Sequence, residues 1–209
     1  MQTPATMQTP TTEEALAPKP VHVVVCGAGP GGLLCAINLL RRNVEGEAPR
    51  YTVELVDGGE DFGVLDGAGL QRKRSWMIGL AWPGLRAIRR VPALYDDYVS
   101  KVGVQVKQLA LYLGSKKILT GSGASDTDSE NYLVDRNFIV HALARYLNEK
   151  FGTSKHLTMS YKTKVAFVDA DARRIFVRSA DGTETYRPYV SAAGFEPATP
   201  TLKLACRTC

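Results

Sequence analysis

The sequence predicts an α/β fold built on a parallel sheet, and three observations carry that prediction. The β-branched run Val21-His22-Val23-Val24-Val25-Cys26 has the character of a strand buried on both faces. Directly after it, Leu33, Ala36, Ile37 and Leu40 keep the spacing of one helix face. Between the two stand Gly27, Gly29 and Gly32, and a second β-rich run, Tyr51 to Val56, ends in Asp57.

Each glycine of the turn has its own task. Gly27 permits the tight exit from the strand, and Gly29 removes the Cβ that would hold a pyrophosphate off the backbone. Gly32 lets the helix pack closely on the strand. Pro30 and Gly31 complete the turn and open the helix, whose free N–H groups and positive dipole end face the phosphates. Such a contact is worth ~0.3–1 kcal/mol for an anion. Asp57 is placed to accept both hydroxyls of an adenosine ribose, and its charge disfavours a cofactor with a phosphate there. Its distance from the glycines is slightly long because Asn43 to Arg50 reads as an enlarged helix-to-strand loop. An ordinary glycine turn is the alternative. The strand before, the helix after and the acid beyond favour a Rossmann-like dinucleotide site.

The remaining elements follow in order. Residues 1–20 hold a Thr- and Pro-rich near-repeat without apolar periodicity and read as a disordered leader, too polar for a secretory signal. Gly58 to Gly63 is a loop on the cofactor side of the sheet. Gln71 to Leu80 passes from basic to apolar, and Pro83 opens a helix running through Arg90. Alternation at Val104 and Val106 resumes out of phase at Leu109, Leu111 and Leu113, which predicts a bulge near Lys107 and Gln108. Gly114 to Lys117 is a turn, and Gly121 to Glu130 a Gly/Ser/Asp loop expected to be mobile. Asp135 is the expected N-cap of a helix that buries Ile139, Ala142, Leu143, Tyr146 and Leu147. Arg136 in its first turn opposes the dipole. It calls for an anion, either a cofactor phosphate or a neighbouring carboxylate. Lys164–Val168 and Arg174–Arg178 flank a hairpin turn, and Ala180-Asp181-Gly182 leads to a last strand from Thr185 to Gly194.

Composition narrows the function classes. The 209 residues are 44% hydrophobic and 22% charged, as in a soluble globular chain, and no apolar run reaches membrane-spanning length. The net charge of +5 is scattered and not interleaved with aromatics, which disfavours nucleic acid as a partner. Cys26 and Cys35 read as small apolar residues. Cys206 and Cys209 lack a second ligand pair or a βαβ context, so no metal site is expected. His22, His141 and His156 have no partner pattern and read as structural or exposed. The cytoplasm is favoured over secretion.

In order and spacing these parts resemble the N-terminal half of the class A FAD-dependent aromatic monooxygenases, most closely the kynurenine 3-monooxygenase group. The resemblance runs from about Val21 to Gly194 and rests on four pieces. These are the glycine turn, Asp57, Arg74-Ser75-Trp76-Met77-Ile78-Gly79-Leu80, and Tyr132-Leu133-Val134-Asp135-Arg136. It implies FAD as cofactor, with Arg74 and Arg136 beside it. NADPH would be the electron donor, and a small aromatic molecule the substrate hydroxylated by the complete enzyme. The pattern is departed from at Gln108, where the group has a substrate-binding arginine that a neutral amide cannot replace. It is departed from again at Ala193, where the group has a flavin-contacting aspartate. Gly194-Phe195-Glu196-Pro197 is what a reading frame gives across the TΨC arm of a transfer-RNA gene, so the reading frame is expected to leave the monooxygenase exon near Arg187 and run into unrelated sequence. The expected organisation is a leader at 1–20, a truncated FAD-binding domain at 21–194 and an irregular tail at 195–209. On this reading no residue is named as catalytic, and a non-catalytic nucleotide-binding fragment is the alternative.

Overall fold

Val21–Cys26 (β1) and Tyr51–Val56 (β2) lie parallel in register, Val21 opposite Tyr51 and Cys26 opposite Val56. Leu157–Ser160 (β8) joins the other side of β2, also parallel. The computed structural model describes residues 19–106, 108–122 and 131–189. Within them the sheet order is β1-β2-β8.

Side chains of these strands point alternately to the two faces, and both faces are covered. Val23, Val25, Val53 and Leu55 face a helical layer, where Pro30–Leu40 (α1) buries Leu33, Ala36, Ile37 and Leu40. Arg136–Phe151 (α4) packs there too, burying Ile139, Ala142, Leu143, Tyr146 and Leu147 as expected. Val24, Cys26 and Val56 face the opposite way, onto Val165, Ile175 and Val177. Those belong to an antiparallel meander of Thr163–Asp169 (β9), Arg174–Ser179 (β10) and Glu184–Pro188 (β11). Burial on two sides explains why β1 is β-branched almost throughout.

A second antiparallel sheet brings together segments distant in sequence. Met77–Leu80 (β3) and Gly103–Gln105 (β4) flank Tyr132–Asp135 (β7). Trp82–Arg89 (α3) follows β3, with the short helix Gly67–Gln71 (α2) before it. Phe62–Val64 forms a 3-10 turn and Leu94–Val99 a π-helical one, both packed on α4.

Three expectations change. The phase slip expected as a bulge falls where the chain passes from one sheet to another: β4 pairs with β7, whereas Gln108–Leu113 (β5) pairs with Lys116–Ser122 (β6), and Lys107 itself lies outside the described residues. The phase changes because the chain changes sheet, and a register shift falls instead between Leu111 and Tyr112. The turn is shorter than expected, since Lys116 and Lys117 belong to β6 and Gly114 takes φ +61°. The strand expected from Thr185 is the third strand of the meander, with Arg187 opposite Ile175. The leader's residues 1–18, most of the Gly121–Glu130 loop, Ala193, Gly194, Cys206 and Cys209 lie outside the described residues.

Candidate nucleotide-binding cleft

The glycine turn joins β1 to α1 at the carboxyl end of the parallel strands. Gly27 has φ +105°, a left-handed geometry that a side chain resists, and its N–H donates to Val56 O at 2.7 Å. At Gly32 a Cβ would lie 1.9 Å from Gly27 O and 3.3 Å from Val25 Cγ1. Packing of helix on strand therefore forbids a side chain there. Gly29 and Gly31 are different: a Cβ at either would meet nothing within 4 Å. No side chain caps α1, whose N-cap is Gly29 with Pro30 following.

Asp57 is the first residue beyond β2. Its Oδ2 accepts the Ala28 N–H and its Oδ1 the Gly59 N–H, each at 2.6 Å. The carboxylate thus staples the glycine turn to the loop after β2. A carboxylate has about four lone-pair sites, so both oxygens keep acceptor capacity. Asp57 also donates its own N–H to Ser160 O at 3.0 Å, which ties it to β8.

Arg136 comes to the same cleft from α4. Asp135 caps that helix, accepting the Asn137 N–H on Oδ1 at 2.7 Å and the Ser75 hydroxyl on the same oxygen at 2.6 Å. Antiparallel pairing of β3 with β7 sets Met77 opposite Asp135, and the Arg136 N–H donates to Trp76 O at 3.1 Å. The guanidinium lies 5.0 Å from the centre of the Trp76 ring. Among the described residues Arg136 forms no ion pair with a carboxylate. Arg74 is exposed and outside the cleft lining. Its carbonyl accepts from Asn137 Nδ2 at 3.5 Å.

Together Ala28, Gly29, Asp57 and Arg136 line one open cleft, whose walls are completed by Glu60, Phe62, Val140, Ala144 and Tyr161. Burial, and after it the Asp61 carboxylate, pushes the Tyr161 hydroxyl well above the usual tyrosine range, so it stays a donor. Glu60 at the cleft is ion-paired with Lys73. Of the cleft residues, the glycine turn, Asp57 and Arg136 carry a sequence signal. Phe62 sits in the loop expected on this side of the sheet. Glu60 lies in the same loop, whereas Tyr161 carries no pattern, because its place follows from the β8–β9 connection. The histidines have structural partners: His141 Nδ1 is 2.7 Å from Phe62 O, and His22 Nδ1 is 3.0 Å from Thr52 Oγ1. Burial raises the thiol pKa of Cys26 and Cys35, with the Glu54 charge adding at Cys26. Among the described residues no cluster of His, Cys, Asp or Glu could hold a metal ion. No described helix is long and apolar enough to cross a membrane.

Solved structures share the fold. p-Nitrophenol 4-monooxygenase PnpA from Pseudomonas putida DLL-E4 superposes with a TM-score of 0.57 at 18% identity, covering 82% of this chain and 38% of that one. PqsL, a probable FAD-dependent monooxygenase from Pseudomonas aeruginosa, gives 0.51 at 21% identity, covering 78% and 39%. A flavoprotein/dehydrogenase from Cytophaga hutchinsonii gives 0.54 at 14% identity, covering 80% and 37%. The fold is theirs. At these identities the likeness establishes the fold alone, a mixed α/β fold with a parallel sheet, and the chain spans about two fifths of the length of these structures. Neither a protein-family model nor a curated protein matches the sequence.

Proposed function

We propose that the chain is the FAD-binding portion of a flavin-dependent aromatic monooxygenase. One observation carries this reading: Gly29, Asp57 and Arg136 line a single cleft from three separate elements. The residues fit the cofactor. Gly29 and Gly31 leave open the space that a diphosphate would fill, and Arg136 brings a cation without a carboxylate partner among the described residues.

In this reading the first-turn amides of α1 hold the diphosphate, where dipole and N–H groups act together. Arg136 neutralises phosphate charge, its side chain steadied against Trp76. Asp57 accepts the ribose hydroxyls while fixing Ala28, and Phe62, Val140 and Ala144 exclude water from the nucleotide. Pro30 presets the helix start and Gly32 sets the approach of helix to strand. Arg74 reaches the cofactor only if its exposed side chain turns inward on binding. When bound, FAD supplies the redox chemistry, with electrons from NADPH, for hydroxylation of a small aromatic molecule by the complete enzyme.

A kynurenine-like substrate is the finer proposal. Its support is the pairing of the two matching segments, Arg74–Leu80 and Tyr132–Arg136, through β3 and β7. PqsL, one of the structural neighbours, is known in complex with 2-aminobenzoylacetate, a small aromatic acid. The span of about two fifths of the neighbours' length favours a second reading, a unit that holds FAD without turnover.

Titration of the purified chain with FAD, followed by flavin fluorescence and retained absorbance, tests the proposal. Saturable binding is expected, weakened about tenfold by Arg136→Gln, the equivalent of ~1.4 kcal/mol. Absence of binding, or binding indifferent to Arg136, would overturn it. FAD-dependent oxidation of NADPH separates the catalytic reading from the binding-only one.

A further inference from the structure

Glu54 sits in the central strand of the parallel sheet and is 8% exposed. A carboxylate buried in an apolar layer is costly unless it is paired and hydrogen-bonded. The cluster around it draws on three other strands. Arg187 of β11 forms an ion pair with Oε1 through Nη1. The same nitrogen donates to Ser160 Oγ of β8 at 3.0 Å. His22 of β1 places Nε2 3.7 Å from Glu54 Oε2.

The position of this cluster matters. Ser160 is the last residue of β8, and its carbonyl accepts the Asp57 N–H at 3.0 Å. Asp57 in turn holds the Ala28 and Gly59 N–H groups. Contacts therefore run without a break from Arg187 through Ser160 and Asp57 to the glycine turn. Stability alone does not explain an ion pair here, because apolar side chains of similar size often serve as well. What apolar side chains cannot supply is a donor to Ser160.

We infer that Arg187, with Glu54 as its counter-charge, is a positioning residue for the cleft: it clamps the meander onto β2 and β8 and fixes the Asp57–Ala28 contact that shapes the glycine turn. The consequence for nucleotide affinity rests on the reading proposed above. The effect on the turn does not.

Amide hydrogen exchange on the 209-residue chain, without nucleotide, tests the effect on the turn. In Glu54→Met/Arg187→Met, where apolar burial replaces the pair, a near-native melting temperature is expected. Exchange at Ala28 and Gly59 should nevertheless be at least tenfold faster. Ser160→Ala keeps the ion pair but removes the second acceptor, and should speed the same two amides severalfold. Wild-type exchange at Ala28 and Gly59 in the folded double variant overturns the inference. If the double variant fails to fold, wild-type exchange in Ser160→Ala does so. Equilibrium dialysis with ADP then addresses the site: about tenfold weaker binding is expected in the double variant. A wild-type chain that binds no ADP, with the exchange effect intact, overturns the nucleotide reading and leaves the positioning role standing.

Discussion

Gly32 and Gly29 look alike in sequence and differ in what requires them. The Cβ of an alanine at 32 would collide with Gly27 O at 1.9 Å, and that oxygen belongs to backbone held in the turn. Gly32→Ala is therefore expected to destabilise the fold by at least about 1–3 kcal/mol, the usual cost of overpacking, read from urea unfolding. Gly29 has φ −75° and open space where its Cβ would point. Gly29→Ala should unfold like the wild type while losing FAD affinity, because on the proposed reading the space it fills is the diphosphate's. Equal stability losses at both positions would contradict this division. The glycine spacing was legible in sequence because close packing and ligand approach both demand a missing Cβ. The Glu54–Arg187 pair was not, since its members are 133 residues apart and neither stands in a motif.

At the scale of elements, α4 links the cleft to the second sheet through its cap. Asp135 Oδ1 takes both the Asn137 N–H and the Ser75 hydroxyl. Asp135→Ala should cost about 0.5–2 kcal/mol for the cap and free the segment that carries Arg74, measurable by thermal melting and by exchange at Asn137. The other end of α4 gives a pH dependence. Tyr98 donates to Glu149 Oε2 at 2.5 Å, and Arg145 donates to Oε1 at 2.8 Å. The Tyr98 hydrogen bond, then that of Arg145, holds the Glu149 carboxyl below its usual range. The same bond to Glu149, with burial second, pushes Tyr98 up to about 12. Glu149 therefore adds stability above the ordinary glutamate value of about 4.3, lost as pH falls through its lower folded value. Tyr98 adds stability below the ordinary tyrosine value of about 10, lost as pH rises through about 12. Glu149 is exposed and Tyr98 only half-buried, so the effect is small. The melting-temperature gap between wild type and Tyr98→Phe should narrow at both extremes, and a constant gap would count against the bond. Caps and helix faces were legible here because they are local. The change of sheet between Gln105 and Gln108 was not, because a phase slip has the same appearance whether a strand bulges or ends.

Among the described residues the parallel sheet is covered on both faces, whereas the second sheet is covered on one. Ile78, Leu80, Tyr132 and Val134 turn inward from it. Met77, Leu133 and Val104 are 56%, 45% and 71% exposed, with Leu133 directly opposite Val104. A contiguous apolar patch promotes association, so Leu133→Lys should reduce concentration-dependent self-association in sedimentation without lowering the melting temperature. The last prediction concerns cooperativity. The cleft joins the helical layer to the loops after β2 and β8, and Asp57 Oδ2 bonds the turn that enters α1. Asp57 O also accepts the Thr163 N–H at the start of the meander, at 2.9 Å. A ligand held there stabilises both layers at once if they unfold together. At a hundredfold excess over its dissociation constant, FAD should add about 2.7 kcal/mol. For a chain of this size that raises the melting temperature by roughly 5–10 °C. Circular dichroism of the helices and, in a Trp82→Phe background, fluorescence of Trp76, whose ring lies under Arg136, should report the same rise. A shift in fluorescence alone would mean that the cleft closes locally while the sheet and meander unfold independently of it.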